Sequence, residues 1–118
     1  MARYVDGFII PVPKKNLKAY TKMAQLSAKV WRKCGALQYV ESVGDDVPKG
    51  KITSFPKSVK LKSSEVAVLG YAVYKSRKHR DQVMKKVMSD PSLIKMWDNM
   101  PFDGMRMVWG GFKSIVSK

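Results

Sequence analysis

The sequence predicts an α+β fold: a four-stranded antiparallel sheet with two helices on one face. Three observations predict it. Residues 66–74, Val-Ala-Val-Leu-Gly-Tyr-Ala-Val-Tyr, are the longest apolar run in the chain and are apolar at odd and even positions alike. Such a strand must be covered on both faces. A basic amphipathic stretch, residues 75–88, follows it with no gap. The remaining periodicities place a strand, a helix and a strand before that run and one strand after the second helix.

In chain order, residues 4–12 read as the first strand, with Tyr4, Phe8, Ile10 and Val12 on one parity and Val5, Gly7 and Ile9 on the other. Asp6-Gly7 suggests a bulge, and Pro11 and Pro13 are expected to end the strand because neither donates to a ladder. Residues 14–34 read as a helix. Leu17, Tyr20, Ala24, Ala28 and Trp31 make its apolar stripe. Lys14, Lys15, Lys18, Lys22, Lys29, Arg32 and Lys33 gather on an arc beside it, and no acid occurs between Asp6 and Glu41 to neutralise them. Gly35 suits the helix C-terminus.

Residues 36–43 form an amphipathic second strand, Leu37, Tyr39, Glu41 and Val43 alternating with Gln38, Val40 and Ser42. Residues 44–64 exceed the usual loop length, which suggests function or a small element of their own. Residues 52–55 are expected to be an extended piece that tucks Phe55 inward. Ser76 caps the helix after the third strand. Asp90-Pro91 reads as the N-cap and first residue of a further short helix. Residues 105–116 are the fourth strand, with Gly110-Gly111 marking a bulge or a close backbone approach. The whole is the ferredoxin-like βαββαβ arrangement. Two helices cover only one side of it, so the apolar third strand predicts a homodimer packed sheet to sheet.

A chain of 118 residues with 45% hydrophobic content makes one globular domain, residues 1–118. Its 23 Lys+Arg against 9 Asp+Glu, formal charge +14, favour encounter with nucleic acid, anionic membranes or acidic partners, although a plain solvated basic surface explains them as well. One cysteine, Cys34, and one histidine, His79, exclude an intramolecular disulfide and a structural zinc site. No stretch has the length and apolarity of a signal peptide or a membrane span, so no membrane role and a reducing cytoplasm are expected.

The strings Asp6-Gly7-Phe8, Pro11-Val12-Pro13, Thr53-Ser54-Phe55-Pro56, Tyr74-Lys75-Ser76-Arg77, His79-Arg80-Asp81 and Met100-Pro101-Phe102-Asp103-Gly104 together resemble the YbaA-like family of small uncharacterised bacterial proteins. The resemblance spans nearly the whole chain. It implies the dimeric α/β-barrel fold and brings no catalytic residues with it. Met105 stands where the family leads one to expect Lys, and the first helix is more basic than expected.

His79 is the one candidate general base. It lacks an evident orienting partner, because Asp81, two positions on, points elsewhere on a helix. The barrel resemblance raises a His, Asn and Trp set, here His79, Asn99 and Trp97. Asp45, Asp46 and Asp103 offer oxygen ligands for a cation, although acids in turns more often cap local amides, and no metal is expected. Cys34 sits at a helix C-terminus, whose dipole disfavours a thiolate. Trp31, Tyr39, Tyr71, Trp109 and Phe112 are candidates for lining a pocket between sheet and helices, with Ser54, Phe55 and Arg106 at its mouth. Plain core packing is the competing reading of those aromatics. No nucleotide-binding or nucleophile motif occurs, and no cofactor is expected.

The sequence thus supports a cytoplasmic homodimer binding a small organic molecule. If it is an enzyme, it is a cofactor-independent oxygenase or isomerase. The alternative is nonspecific nucleic-acid binding through the basic arc of the first helix.

Overall fold

The computed structural model of the protein describes residues 3–118. Its elements are β1 (Tyr4–Pro13), α1 (Leu17–Lys33), β2 (Gln38–Val43), α2 (Phe55–Ser58), β3 (Glu65–Tyr74), α3 (Arg77–Val87), α4 (Pro91–Trp97) and β4 (Val108–Lys113), with short 3₁₀ turns at Lys14–Asn16 and Gly104–Arg106. The strands form one antiparallel sheet in the order β2-β3-β1-β4. Among the described residues no helix is long and apolar enough to cross a membrane.

The helix ends follow local chemistry. Gly35, at φ +119°, takes the conformation that closes α1. The N–H groups of Gly35 and Ala36 reach back to the carbonyls of Arg32 and Trp31. Ser76 accepts from the His79 N–H at the start of α3, and Asp90 accepts from Ser92 N–H at the start of α4.

β1 ends at Pro13, one residue beyond the expected boundary, with Pro11 inside it. It pairs with β3 along its whole length but with β4 only from Tyr4 to Ile9. Lys14 N–H bonds to Ser64 O, so even positions donate toward β3 and odd ones toward β4. Pro11 and Pro13 therefore lack a donor only on the side where no strand lies. No bulge forms at Gly7 or at Gly110-Gly111, where the register is unbroken. Gly111 meets the other expectation, a close approach: a Cβ there would fall 2.4 Å from the Tyr4 hydroxyl.

Helices α1, α3 and α4 cover one sheet face. Val30, Val83, Val87 and Leu93 pack on Ala72 and Tyr74, while Tyr20 packs on Ile10, Val12 and Val68. The opposite face is partly covered by the chain itself, which the expectation of two helices alone did not include. Val59 and Leu61 of the 44–64 segment close over Ile9 and Ala67. Arg106 fastens this cover, donating to the carbonyl of Lys60 at 3.0 Å and to both Glu65 oxygens at 2.9 and 2.5 Å. Residues 52–55 are not the inward-tucked extended piece expected. Ser54 caps α2, Pro56 sits in its first turn, and Phe55 stays exposed. Beyond this cover an apolar strip remains open, including Leu69, Val108 and Phe112.

Candidate functional site

Between the sheet and the helices lies a cavity of about 490 Å³. Its floor is the helical face of the strands: Asp6, Phe8 and Ile10 of β1, Tyr39 and Glu41 of β2, Ala72 of β3 and Trp109 of β4. Its walls are Tyr20, Met23, Ser27 and Trp31 of α1 and Arg80 and Met84 of α3, with Met88 just after α3. Met96 and Trp97 of α4, then Met100, Phe102 and Met107, close it. All three tryptophans and six of the eight methionines of the chain face this space. Methionine is unbranched and polarisable, and it conforms to irregular apolar shapes.

Local geometry makes the room. Gly70 has no side chain, and the Phe8 ring occupies the space beside it, where a Cβ would meet the ring at 2.1 Å. The ring thereby reaches across β3 toward Tyr39, at 6.4 Å between centroids, and Tyr39 tilts against Trp31 at 5.3 Å. Tyr20 meets Phe102 edge to face at 5.6 Å.

Three charged side chains line the cavity: Asp6, Glu41 and Arg80. Arg80 pairs with Asp6 at 2.6 Å and with Asp81 at 2.8 Å, and its guanidinium stacks over Tyr4 at 5.0 Å. Burial pushes the Asp6 carboxyl above its ordinary range, against the opposing pull of Tyr74 and Arg80. Glu41 has a different environment. Tyr20 donates its hydroxyl to one carboxylate oxygen and Tyr39 donates to the other at 2.7 Å. Burial, and then the Glu41 charge, push both phenols well above their ordinary values, so they remain donors.

Of the residues the sequence nominates, Trp31, Tyr39 and Trp109 meet in this cavity. Tyr71 and Phe112 face the other side of the sheet, opposite Gly7 and Val5 respectively. An apolar run with both parities filled does not reveal which parity meets the helices. Ser54 and Phe55 belong to α2, away from the cavity, and Phe55 borders a shallow crevice with Asp45, Asp46 and Leu69. Arg106 is the fastener of the 44–64 segment, and Asp103 caps the adjacent turn and pairs with Arg106 at 2.9 Å. His79 accepts from the Lys75 N–H at 2.9 Å and meets Tyr74 edge-on, outside the cavity. Trp97 lines the cavity, whereas Asn99 borders a separate groove between α1 and α4, so His79, Asn99 and Trp97 do not converge. Cys34 is half-buried at the end of α1. Among the described residues no three His, Cys, Asp or Glu side chains cluster as a metal site. Lys14, Lys15, Lys18, Lys22, Lys29, Arg32 and Lys33 are all exposed. Lys33 pairs with Asp90 at 3.1 Å, and Arg32 turns back on the carbonyls of Ala36 and Leu37.

Sequence reasoning missed Glu41, Phe102, Arg80 and the methionines as wall residues. One signal for Glu41 was present: it shares a parity with Tyr39 and Leu37, an acid in an apolar row.

The family model described as "Protein of unknown function (DUF1428)" matches residues 3–104. The chain belongs to this family. This DUF1428 protein is 42% identical over 116 residues to "Uncharacterized protein YbaA" of Escherichia coli (strain K12), covering 98% of this chain and 99% of that protein. The same figures hold for the YbaA of Shigella flexneri. The motif resemblance to the YbaA-like family is thus borne out, and those motifs supply Asp6, Gly7, Phe8, Arg80, Met100 and Phe102 of the cavity wall. Among solved structures the chain is similar to CPII of Thiomonas intermedia K12 bound to ADP, AMP and acetate, at 6% identity over 97% of this chain and 91% of that one, with a TM-score of 0.44. A superposition that loose carries no weight for site or ligand.

Proposed function

We propose that this DUF1428 protein binds a small, mainly apolar organic molecule in the cavity between sheet and helices, as a homodimer of ferredoxin-like protomers of the dimeric α/β-barrel type. The observation that carries the reading is the cavity itself: about 490 Å³, walled by aromatics and methionines, with a few convergent polar groups. That combination is what small-molecule sites share. A reducing cytoplasm suits the single half-buried Cys34. Because every tryptophan lines the cavity, intrinsic fluorescence reports on its occupancy with no label. A library of small aromatic and alicyclic compounds is expected to give saturable changes in emission and matching rises in melting temperature. Saturable hits in neither measurement refute the reading.

The open apolar strip supports the dimer. Leu69 is 46% exposed and Phe112 64%, on a face that the 44–64 segment covers only in part. Leu69→Lys is a mild surface change if the protein is a lone protomer. In the dimer it places a charge in the interface and is expected to halve the mass seen by sedimentation. A wild-type monomer at micromolar concentration removes the dimer.

One observation favours nucleic acid as a second reading. Lys14, Lys15, Lys18, Lys22 and Lys29 are exposed and make no ion pair among the described residues. Labelled RNA titrated at about 50 and 200 mM salt tests it, since phosphate contacts weaken steeply with salt. No binding at the lower salt removes it.

A further inference from the structure

We propose that the cavity selects organic ammonium ions and that Glu41 is the anchor for the cationic head; this rests on the cavity-binding reading above. The chain has 23 basic and 9 acidic residues, so a cation is available to almost every acid. Asp6, Glu65, Asp81, Asp90 and Asp103 each have one within ion-pair distance. Asp45, Asp46 and Asp98 have none among the described residues, but they stand in open solvent. Glu41 alone is both partly buried and without a cationic partner among the described residues.

A carboxylate withdrawn from water is costly unless its charge is matched or hydrogen-bonded. The tyrosine hydroxyls answer half of that demand. Each takes one lone-pair direction on one oxygen, leaving further acceptor positions on a side chain that lines the cavity. With Arg80 tied to Asp6, the wall carries a net charge of −1 (Asp6 and Glu41 against Arg80) inside a protein of +14. Trp31 and Tyr39 line the same cavity, 5.3 Å apart between ring centroids, and aromatic rings attract cations to their faces. A divalent metal fits less well, because it needs several oxygen ligands and the wall supplies mostly carbon and thioether. An ammonium with an apolar tail satisfies both the anion and the greasy wall.

The test uses three probes of similar size: phenethylammonium, 2-phenylethanol and 3-phenylpropionate, each titrated by tryptophan fluorescence and calorimetry. The ammonium is expected to bind about tenfold or more tightly than the alcohol, the factor a charge-assisted hydrogen bond supplies, with the carboxylate weakest. Glu41→Gln keeps the shape and offers Tyr20 and Tyr39 polar partners. It is expected to erase the ammonium preference while shifting alcohol affinity less than about twofold. Carboxylate preference, or ammonium preference that survives Glu41→Gln, overturns the inference. Alcohol binding with no gain for the ammonium overturns it and leaves the cavity reading standing. Binding of none of the three overturns the inference, and the library screen described above decides the cavity reading separately. Should Glu41→Gln fail to fold, the wild-type ranking decides alone.

Discussion

Replacing Gly70 with valine tests how the cavity is built. On strand propensity alone the change is favourable, because β-branched residues suit strands and glycine does not, a difference of about 1 kcal/mol. The packing predicts the opposite sign. A Cβ at position 70 falls 2.1 and 2.2 Å from two atoms of the Phe8 ring, so the ring must leave its place. The space open to it is the cavity, which the ring already borders. Overpacking of this kind costs about 1–3 kcal/mol, and Val exceeds the single Cβ that already clashes. The net expectation is a loss of up to about 2 kcal/mol, with weaker binding of any cavity ligand as the ring swings inward. Urea unfolding followed by far-ultraviolet circular dichroism measures the first effect, and tryptophan fluorescence titration the second. Phe8→Ala in the Gly70→Val background removes the obstructing ring. The pair is therefore expected to couple favourably by about 1 kcal/mol or more in a double-mutant cycle. A Gly70→Val protein as stable as wild type, with no coupling to Phe8→Ala, refutes the reasoning.

Tyr20, 3% exposed, donates to the Glu41 carboxylate, and Tyr20→Phe is expected to cost about 2 kcal/mol in urea unfolding, as for a hydrogen bond to a charged acceptor. An unchanged midpoint counts against that bond. The hydrogen bonds from Arg106 hold the Glu65 carboxyl below its usual 4.5, with burial opposing. Because the folded value is depressed, this stabilisation is complete above about pH 4.5 and is lost as pH falls through the folded value. The urea midpoint of wild type is therefore expected to exceed that of Glu65→Gln at pH 7, with the gap shrinking at about pH 3. A constant gap shows that the charge does not fasten the 44–64 segment. Ser76→Ala removes the N-cap of α3 and is expected to cost about 1 kcal/mol, read by the same midpoint. Ligand affinity should stay unchanged, because Ser76 does not line the cavity.

Much of the local structure was legible because it depends on residues near in sequence. Ser76 three positions before the His79 amide, Asp90 before Pro91, and Gly35 after the last turn of α1 each mark a helix end by short-range hydrogen bonding or backbone conformation. The same chemistry stands at Ser54-Phe55-Pro56, where the sequence predicts an extended piece because a single helical turn has too little apolar period to show. Pro11 is tolerated inside β1 for a different reason. Whether a missing N–H matters depends on where β4 stops, and that is a property of the sheet.

The candidate site divides along the same line. The motif strings carried the family resemblance, and residue order and periodicity determined the four strands and the two main helices. They placed Tyr39 and Glu41 on one face of β2 and gathered the lysines on one side of α1, since alternation and helical pitch are set by neighbours along the chain. Only the tertiary structure decided that Trp109 turns toward the helices while Tyr71 and Phe112 turn away, and that Arg106 secures the 44–64 segment. It also decided that Glu41 lies between two tyrosine hydroxyls from separate elements, with no ion-pair partner among the described residues. A side chain's face follows from strand register, and its neighbours from the packing of distant elements. Neither is encoded in the spacing of residues along one strand.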